Sequence, residues 1–364
     1  MPDQIWIERD DELTDLAQRL SAQPQIGVDT EFLREKTFFP KLCLLQIAAG
    51  EEIFCVDAMR CRLDPLLPPF TADATRKIVH AARQDLEALY FPTRRVMTPI
   101  FDTQIAAGCV GLKPQIGYAE LASTLLGVRL TKEHTRTDWS RRPLSPEQLS
   151  YAADDVRYLA GIAELLEGRL RELGREAWVA EDCAALADTR LYEPPPAASW
   201  ERLRGIAQLD PEPRARAKAI AVWRERLARD RDLPRSWILA DAAIFDIAFA
   251  NPASAAALYE VSGIPPSFNR QFAASLVEAL QQQARAAVVD SAPRQDARPT
   301  DAQKALLNRL IGVVDARAAE LGLSAEILAP RGELKALALG NRDGRALQGW
   351  RRGEIGESLL SNLG

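Results

Sequence analysis

Along the first hundred positions the spacing of apolar residues keeps changing its period. Ile5-Trp6-Ile7 is a short apolar run that predicts an edge strand. Asp10 to Leu20 sets Leu13, Leu16 and Leu20 at helical spacing behind an acidic start that suits the helix dipole. Three strand-like segments follow, Ile26 to Phe32, Lys41 to Ala48 and Glu52 to Val56, the last two parted by a turn at Gly50. Such short links predict an antiparallel meander of three. Lys41 to Ala48 is almost continuously apolar, as a central strand should be, and its Gln46 is expected to be satisfied at the sheet surface, with a substrate contact as the alternative. After Asp57 the pattern becomes a short helix (Leu63 to Phe70), a strand (Lys77 to His80), a helix (Gln84 to Tyr90), a strand (Pro99 to Phe101) and a further helix opening at Asp102. Strands alternating with helices predict parallel crossovers, so this half of the chain reads as a mixed α/β sheet.

Ser145-Pro146-Glu147-Gln148 is a helix start with proline at the first helical position and Gln148 placed to complete a capping box. The spacing predicts one helix from there to about Arg171. Two polar, proline-bearing stretches read as linkers: Tyr192 to Ser199 and Ser291 to Thr300. Beyond the first of them every segment reads as helix. The expected division is an α/β domain over 1–190 and two all-α domains over 200–288 and 301–364. Ile238-Leu239-Ala240 recurs as Ile327-Leu328-Ala329, with Phe245 and Leu334 each seven residues after the first Ile, which hints at a duplication.

Composition narrows the partners. The 364 residues are 47% hydrophobic and 27% charged, ordinary for a folded chain, and the net charge of −5 argues against nucleic acid unless basic residues cluster. They do so twice. Arg129 to Arg142 carries Arg129, Lys132, Arg136, Arg141 and Arg142 against Glu133 and Asp138, and reads either as a solvated loop or as a phosphate contact with Lys132 and Arg142 as the candidates. Arg202 to Arg235 holds ten Lys or Arg against five Asp or Glu, with Trp223 and Trp237 among or just beyond them. That mixture suits single-stranded nucleic acid, or else a packed core under solvated arginines. The five cysteines, Cys43, Cys55, Cys61, Cys109 and Cys183, form no C-x-x-C pair and read as idle buried thiols. The acidic N-terminal stretch is no signal peptide and no run is long enough to span a bilayer, so a cytoplasmic protein away from membranes is expected.

Candidate chemistry starts at Ile26-Gly27-Val28-Asp29-Thr30-Glu31-Phe32. On a strand, residues two apart share a face, so Asp29 and Glu31 project together. Adjacent anions repel unless a cation lies between them, and a divalent metal with oxygen ligands answers that need. Asp85 opens the helix after the fourth strand, and Tyr151 and Asp155, four apart, share one helical face. Asp154 is turned about 100° around the helix axis from Asp155 and is expected in a supporting or solvated role.

These elements, in this order, resemble the DEDD superfamily of 3′→5′ exonucleases, in the subgroup with a tyrosine in its third motif, and more closely the ribonuclease D family. The resemblance rests on VDTEF (Val28 to Phe32), VHAARQDLEAL (Val79 to Leu89) and LSYAADDVRYL (Leu149 to Leu159), supported by FDTQIA (Phe101 to Ala106) and DWSRRPL (Asp138 to Leu144). The helical segments resemble HRDC domains, the C-terminal one more distantly. The resemblance implies an RNase H-like exonuclease domain followed by two HRDC-type domains. It implies two Mg²⁺ or Mn²⁺ ions held by Asp29, Glu31, Asp85 and Asp155, with Tyr151 orienting the attacking water. It further implies a monomer that releases nucleoside 5′-monophosphates from RNA with an accessible 3′ end, such as tRNA precursors. In that subgroup the tyrosine takes the place a base would fill, so His80 is expected to be a strand-end structural histidine, with a base as the alternative, and Asp102 is expected to cap the following helix. A DNA 3′→5′ exonuclease and a non-catalytic nucleic-acid-binding protein are the alternatives.

Overall fold

The computed structural model describes residues 4–130, 137–264, 268–285 and 300–363. Six strands form one mixed sheet in the order β1-β4-β3-β2-β5-β6. They are β1 Ile5–Ile7, β2 Gln25–Leu33, β3 Lys41–Ala49, β4 Glu52–Asp57, β5 Arg76–Val79 and β6 Ile100–Asp102. The expected meander is present: β2, β3 and β4 are antiparallel neighbours, while β5 adds to β2 and β6 to β5 in parallel. The edge strand β1 closes the other side, parallel to β4. Helices α1 (Asp10–Ser21), α2 (Leu67–Thr71) and α3 (Arg83–Thr93) pack with Val28, Leu45 and Ile47 on one face of the sheet. On the other face lie α4 (Thr103–Cys109), α5 (Tyr118–Leu126), α6 (Pro146–Arg157), α7 (Leu159–Leu173) and α8 (Glu176–Ala184). Gly27 lets this layer approach, since a Cβ there would sit 3.3 Å from Leu159 Cδ1, from the Val156 carbonyl and from Ala48 Cβ.

The predicted capping box forms: Ser145 Oγ accepts from Gln148 N, and Gln148 Oε1 accepts from Ser145 N. The single helix expected to reach Arg171 is instead two. The Tyr118 phenol donates to the Asp154 carbonyl at 3.0 Å and accepts from Tyr158 N at 3.2 Å, so a side chain inserts into the backbone ladder and ends α6. All five cysteines are buried and free. Gln46 departs from expectation, being wholly buried with neither amide atom hydrogen-bonded to protein.

The chain divides into two bodies, one of residues 1–33, 40–192 and 299–364, the other of residues 34–39 and 193–298. The second holds α9 (Pro211–Asp230), α10 (Arg235–Ile238), α11 (Asp241–Ala250), α12 (Ala255–Tyr259) and α13 (Arg270–Arg285) around its own core. Its entry, expected as a linker, contains a 3₁₀ turn over Pro196–Arg202, and most of the second linker lies outside the described residues. Much of its basic excess is used internally. Arg224 is buried on Asp241 and the Leu239 carbonyl, and Arg229 and Arg235 both bind Glu225. Trp223 is half-buried on Ser275, whereas Trp237 is exposed.

The first body ends in α14 (Asp301–Leu321), α15 (Ala325–Leu328), α16 (Arg331–Ala338), α17 (Gly349–Arg351) and α18 (Glu357–Ser361). These helices are joined firmly to the sheet domain. The Arg351 guanidinium grips Asp182 of α8 through both oxygens at 2.6 and 2.7 Å, and Trp350 stacks on Trp178 at 4.1 Å. Arg175 bridges the carbonyls of Cys109 and Leu321. The duplication seen in the sequence is visible in the backbone, but one residue out of the expected alignment. Leu233 N bonds to Ala228 O and Leu239 N to Arg235 O; the same bonds recur 90 residues on, from Leu323 N to Ala318 O and from Ala329 N to Ala325 O. The left-handed residue after the long helix recurs too, as Asp232 and Gly322. Ile238 therefore corresponds to Leu328, not to Ile327. No helix of the described residues is long and apolar enough to cross a membrane.

Candidate active site

β2 carries Asp29 and Glu31 on the face toward α6, both partly exposed, with Thr30 buried on the opposite face. Strand pairing sets Asp29 opposite Gln46 and Glu31 opposite Leu44, and a register shift just after Glu31 ends the regular ladder. From α6, Asp155 comes down so that one oxygen from each of Asp29, Glu31 and Asp155 lies within 4.8 Å of the others. Asp85 approaches from the other layer, in the first turn of α3. It is 8% exposed, and its Oδ1 accepts from Thr30 Oγ1 at 2.6 Å. Asp85 stands outside the set of three but is close enough to act electrostatically on each. Three carboxylates from two segments thus meet, and Asp85, from a third, acts on them from nearby.

Their charge is uncompensated. Burial, then Asp85, Asp155 and Glu31, push Asp29 well above the ordinary aspartate range. Burial, then Asp155 and Asp85, push Glu31 up to about 9. Asp85 and Asp155 each rise to about 7, again chiefly through burial. A hydrogen bond from the Tyr151 phenol favours the ionised form of Asp155 and only partly offsets this. The Tyr151 proton is itself held more firmly than usual, by burial and by the carboxylates of Asp155, Glu31 and Asp29. Trp139, buried, lies 6.1 Å from the Tyr151 ring and fixes one side of it. No lysine or arginine is among the strongest influences on any of the four acids. An all-oxygen, acidic donor set is what a hard divalent ion requires, so the residues fit such an ion.

Residues tested beside the site fall where their chemistry sends them. Asp154 points away and binds Arg157 at 2.8 Å. His80 is structural, its ring nitrogens on Thr103 Oγ1 and the Ile116 carbonyl. Asp102 caps α4 through Gln104 N and Ile105 N. Arg142 does not present itself to a phosphate: all five N–H groups are spent, two on Asp57, one on the Cys43 carbonyl and two on the carbonyls of Trp139 and Arg141. Lys132 lies outside the described residues. Thr30 and Tyr118 went unread in the sequence. Thr30 sits inside the Asp-x-Glu triplet, and its only signal was that an alternating strand must send it toward the helix carrying Asp85.

Residues 4–171 match the 3′-5′ exonuclease family and residues 214–280 the HRDC domain. Over 99% of its length the chain is 38% identical to a ribonuclease D of Acidiphilium cryptum, covering 93% of that protein. Over 98% it is 39% identical to a ribonuclease D of Xanthomonas oryzae pv. oryzae, covering 98% of it. The chain belongs to the ribonuclease D family. Its structure is similar to that of Escherichia coli RNase D, an exoribonuclease involved in structured RNA processing, with a TM-score of 0.88 and 27% identity over 99% of this chain and 98% of that one. As a ribonuclease D family member the chain is a 3′→5′ exoribonuclease that acts on RNA, and the acidic cluster matches that family's use of divalent metal.

Proposed function

We propose that Asp29, Glu31, Asp85, Asp155 and Tyr151 carry the hydrolysis, removing one nucleoside 5′-monophosphate at a time from the 3′ end of structured RNA, tRNA precursors included. The observation that carries this reading is the meeting of the Asp29, Glu31 and Asp155 oxygens within 4.8 Å, with Tyr151 bonded to Asp155. Asp29, Glu31 and Asp155 would hold one Mg²⁺ or Mn²⁺, and Asp85 with Asp29 a second. Bound there, the ions supply charge to offset the in-line phosphoryl transition state and to activate water. The protein's part is arrangement. Without cations the four acids relieve their repulsion by holding protons, and arriving cations take the place of those protons in a fixed geometry. The Tyr151 phenol, kept protonated, orients the attacking water by a hydrogen bond and does not act as a base. The α14–α18 segment, whose backbone repeats that of the HRDC body, is read as a second, divergent HRDC copy built into the catalytic body. A single chain holds the whole proposed residue set, which is consistent with a monomeric enzyme.

Hydrolysis of a labelled tRNA-like RNA with and without added Mg²⁺ or Mn²⁺ tests the reading. Asp155→Asn is expected to abolish nucleotide release and leave RNA binding largely intact; equal loss of both counts against the roles. Matched RNA and DNA oligonucleotides separate the ribonuclease from the DNA exonuclease alternative, because selectivity then rests on contact with the 2′-hydroxyl.

A further inference from the structure

Asp102, the last residue of β6, is 3% exposed and does more than cap α4. Its Oδ1 accepts from Gln104 N at 2.8 Å and Ile105 N at 3.4 Å, the α4 end, and also from Ala81 N at 3.0 Å. Its Oδ2 accepts from Ala82 N at 2.8 Å. One carboxylate therefore ties together the starts of two helices, and the second is α3, whose first turn bears Asp85. The cap residue of α3 is Ala82, whose side chain offers no acceptor; Asp102, from another strand, holds the chain just ahead of the helix by accepting from Ala81 N and Ala82 N. The turn it holds is strained. Ala81 has φ +55°, a left-handed conformation that an alanine adopts only when its surroundings impose it. Asp102 is anchored in turn, its own N–H donating to Cys183 Sγ at 3.3 Å. Beyond Ala82, the Asp85 carboxylate is fixed at its far end by Thr30.

We propose that Asp102 is a positioning residue for the exonuclease reaction: by clamping the Ala81–Ala82 turn it sets where Asp85 stands relative to Asp29, Glu31 and Asp155. This rests on the site reading above. Loss of the clamp lets α3 begin differently and lets Asp85 drift from the other three carboxylates. A misplacement of about 1 Å is worth on the order of 10²-fold in rate.

The test uses the full chain. Asp102→Ser keeps a side chain that caps α4 well but removes the oxygen that reaches α3. The expected result is a fall in kcat of roughly 10²-fold, a higher Mn²⁺ concentration for half-maximal activity and little change in KM for RNA. A double variant with Asp85→Asn is expected to be no slower than Asp85→Asn alone, because Asp102 acts through that residue; a purely architectural role gives multiplied losses. Asp102→Asn, which keeps the side chain's shape but turns an amide N–H₂ toward Ala82 N in place of an accepting oxygen, is the second variant, and weaker Mn²⁺ binding, read by calorimetry without RNA, is expected there as well. Wild-type kcat and Mn²⁺ dependence in Asp102→Ser, or multiplied losses in the double variant, overturn the proposal. If Asp102→Ser fails to fold, unchanged calorimetric Mn²⁺ binding in Asp102→Asn overturns it. Full activity of Asp85→Asn instead sinks the site reading, a separate outcome.

Discussion

Two glutamates, one in each body, show what burial does to a carboxylate with and without a counter-charge. Glu225, in α9, is 2% exposed and lies between Arg229 and Arg235. Burial pushes its proton affinity up, but the two guanidinium groups, Arg235 foremost, overcome that and hold it below the usual range. Glu31, at the end of β2, faces Asp155 and Asp85, and burial together with those neighbours drives it up to about 9. The sheet body can also neutralise an acid when its architecture requires one, since wholly buried Asp57 is gripped by Arg142 through both oxygens at 2.7 Å. Compensation by a guanidinium is therefore available within the same sheet, at Asp57, and the strongest influences on Glu31 include none. An uncompensated buried charge costs stability and persists where it serves another purpose, here the capture of cations.

The comparison predicts opposite outcomes for the same substitution. Glu31→Gln is expected to lower kcat/KM on labelled RNA by at least ~10³-fold, the loss of an electrostatic element of the transition state. The metal-free protein should meanwhile keep its stability, because a carboxyl that already holds its proton there is replaced by a neutral amide of the same shape; a large drop in its melting temperature would show Glu31 to be a structural acid like Glu225. Glu225→Gln is expected to do the reverse. It leaves two arginines facing an uncharged amide and should cost about 3 kcal/mol in denaturant unfolding of the helical body, with nucleotide release from a short unstructured RNA nearly unchanged. Loss of less than about 1 kcal/mol would place this network with weak surface pairs.

Tyr151→Phe sharpens the contrast within the cluster. The ring still packs near Trp139, but its hydrogen bond to Asp155 and its contact with water are lost. A fall in kcat of roughly 10- to 100-fold is expected, within the range for a positioned proton-handling group. KM for RNA should stay constant in the same titration, and a change confined to KM would move Tyr151 from the reaction to substrate binding.

The pairings within the candidate site were legible because they depend on local geometry, while Asp85 and the roles of the set came from the family resemblance. Asp29 and Glu31 share a face through strand alternation, and Tyr151 and Asp155 share one through helical spacing. What escaped were contacts between segments far apart in sequence. Nothing near Arg142 announces that Asp57, 85 residues earlier, takes up its guanidinium, so a basic loop read as a phosphate contact. Nothing near Tyr158 announces that the Tyr118 phenol interrupts its helix. The fold followed the periodicity closely, and the duplication was found one residue out of register because the recurring ILA letters do not mark the residues that recur in the backbone.

The smallest expected effect is in stability against pH, and its sign distinguishes the two glutamates. Asp85 and Asp155 bind protons more tightly folded, near about 7, and Glu31 near about 9, than in the unfolded chain. Their contribution is fully present below the unfolded values, near 4, and is lost as pH rises through the folded ones. Glu225 is depressed, so its contribution is present above its unfolded value and is lost as pH falls through its folded one. Because the cluster shares its protons, the metal-free loss between pH 5 and 8 belongs to the set of acids and not to any one of them. Added Mg²⁺ or Mn²⁺ competes with those protons, so it should stabilise little at pH 5 and progressively more toward pH 8. Denaturant titrations at both pH values, with chelator or with ion, measure this. If the ion stabilises equally at both, the four acids do not share protons with the metal, and the uncompensated charge that separates Glu31 from Glu225 has another explanation.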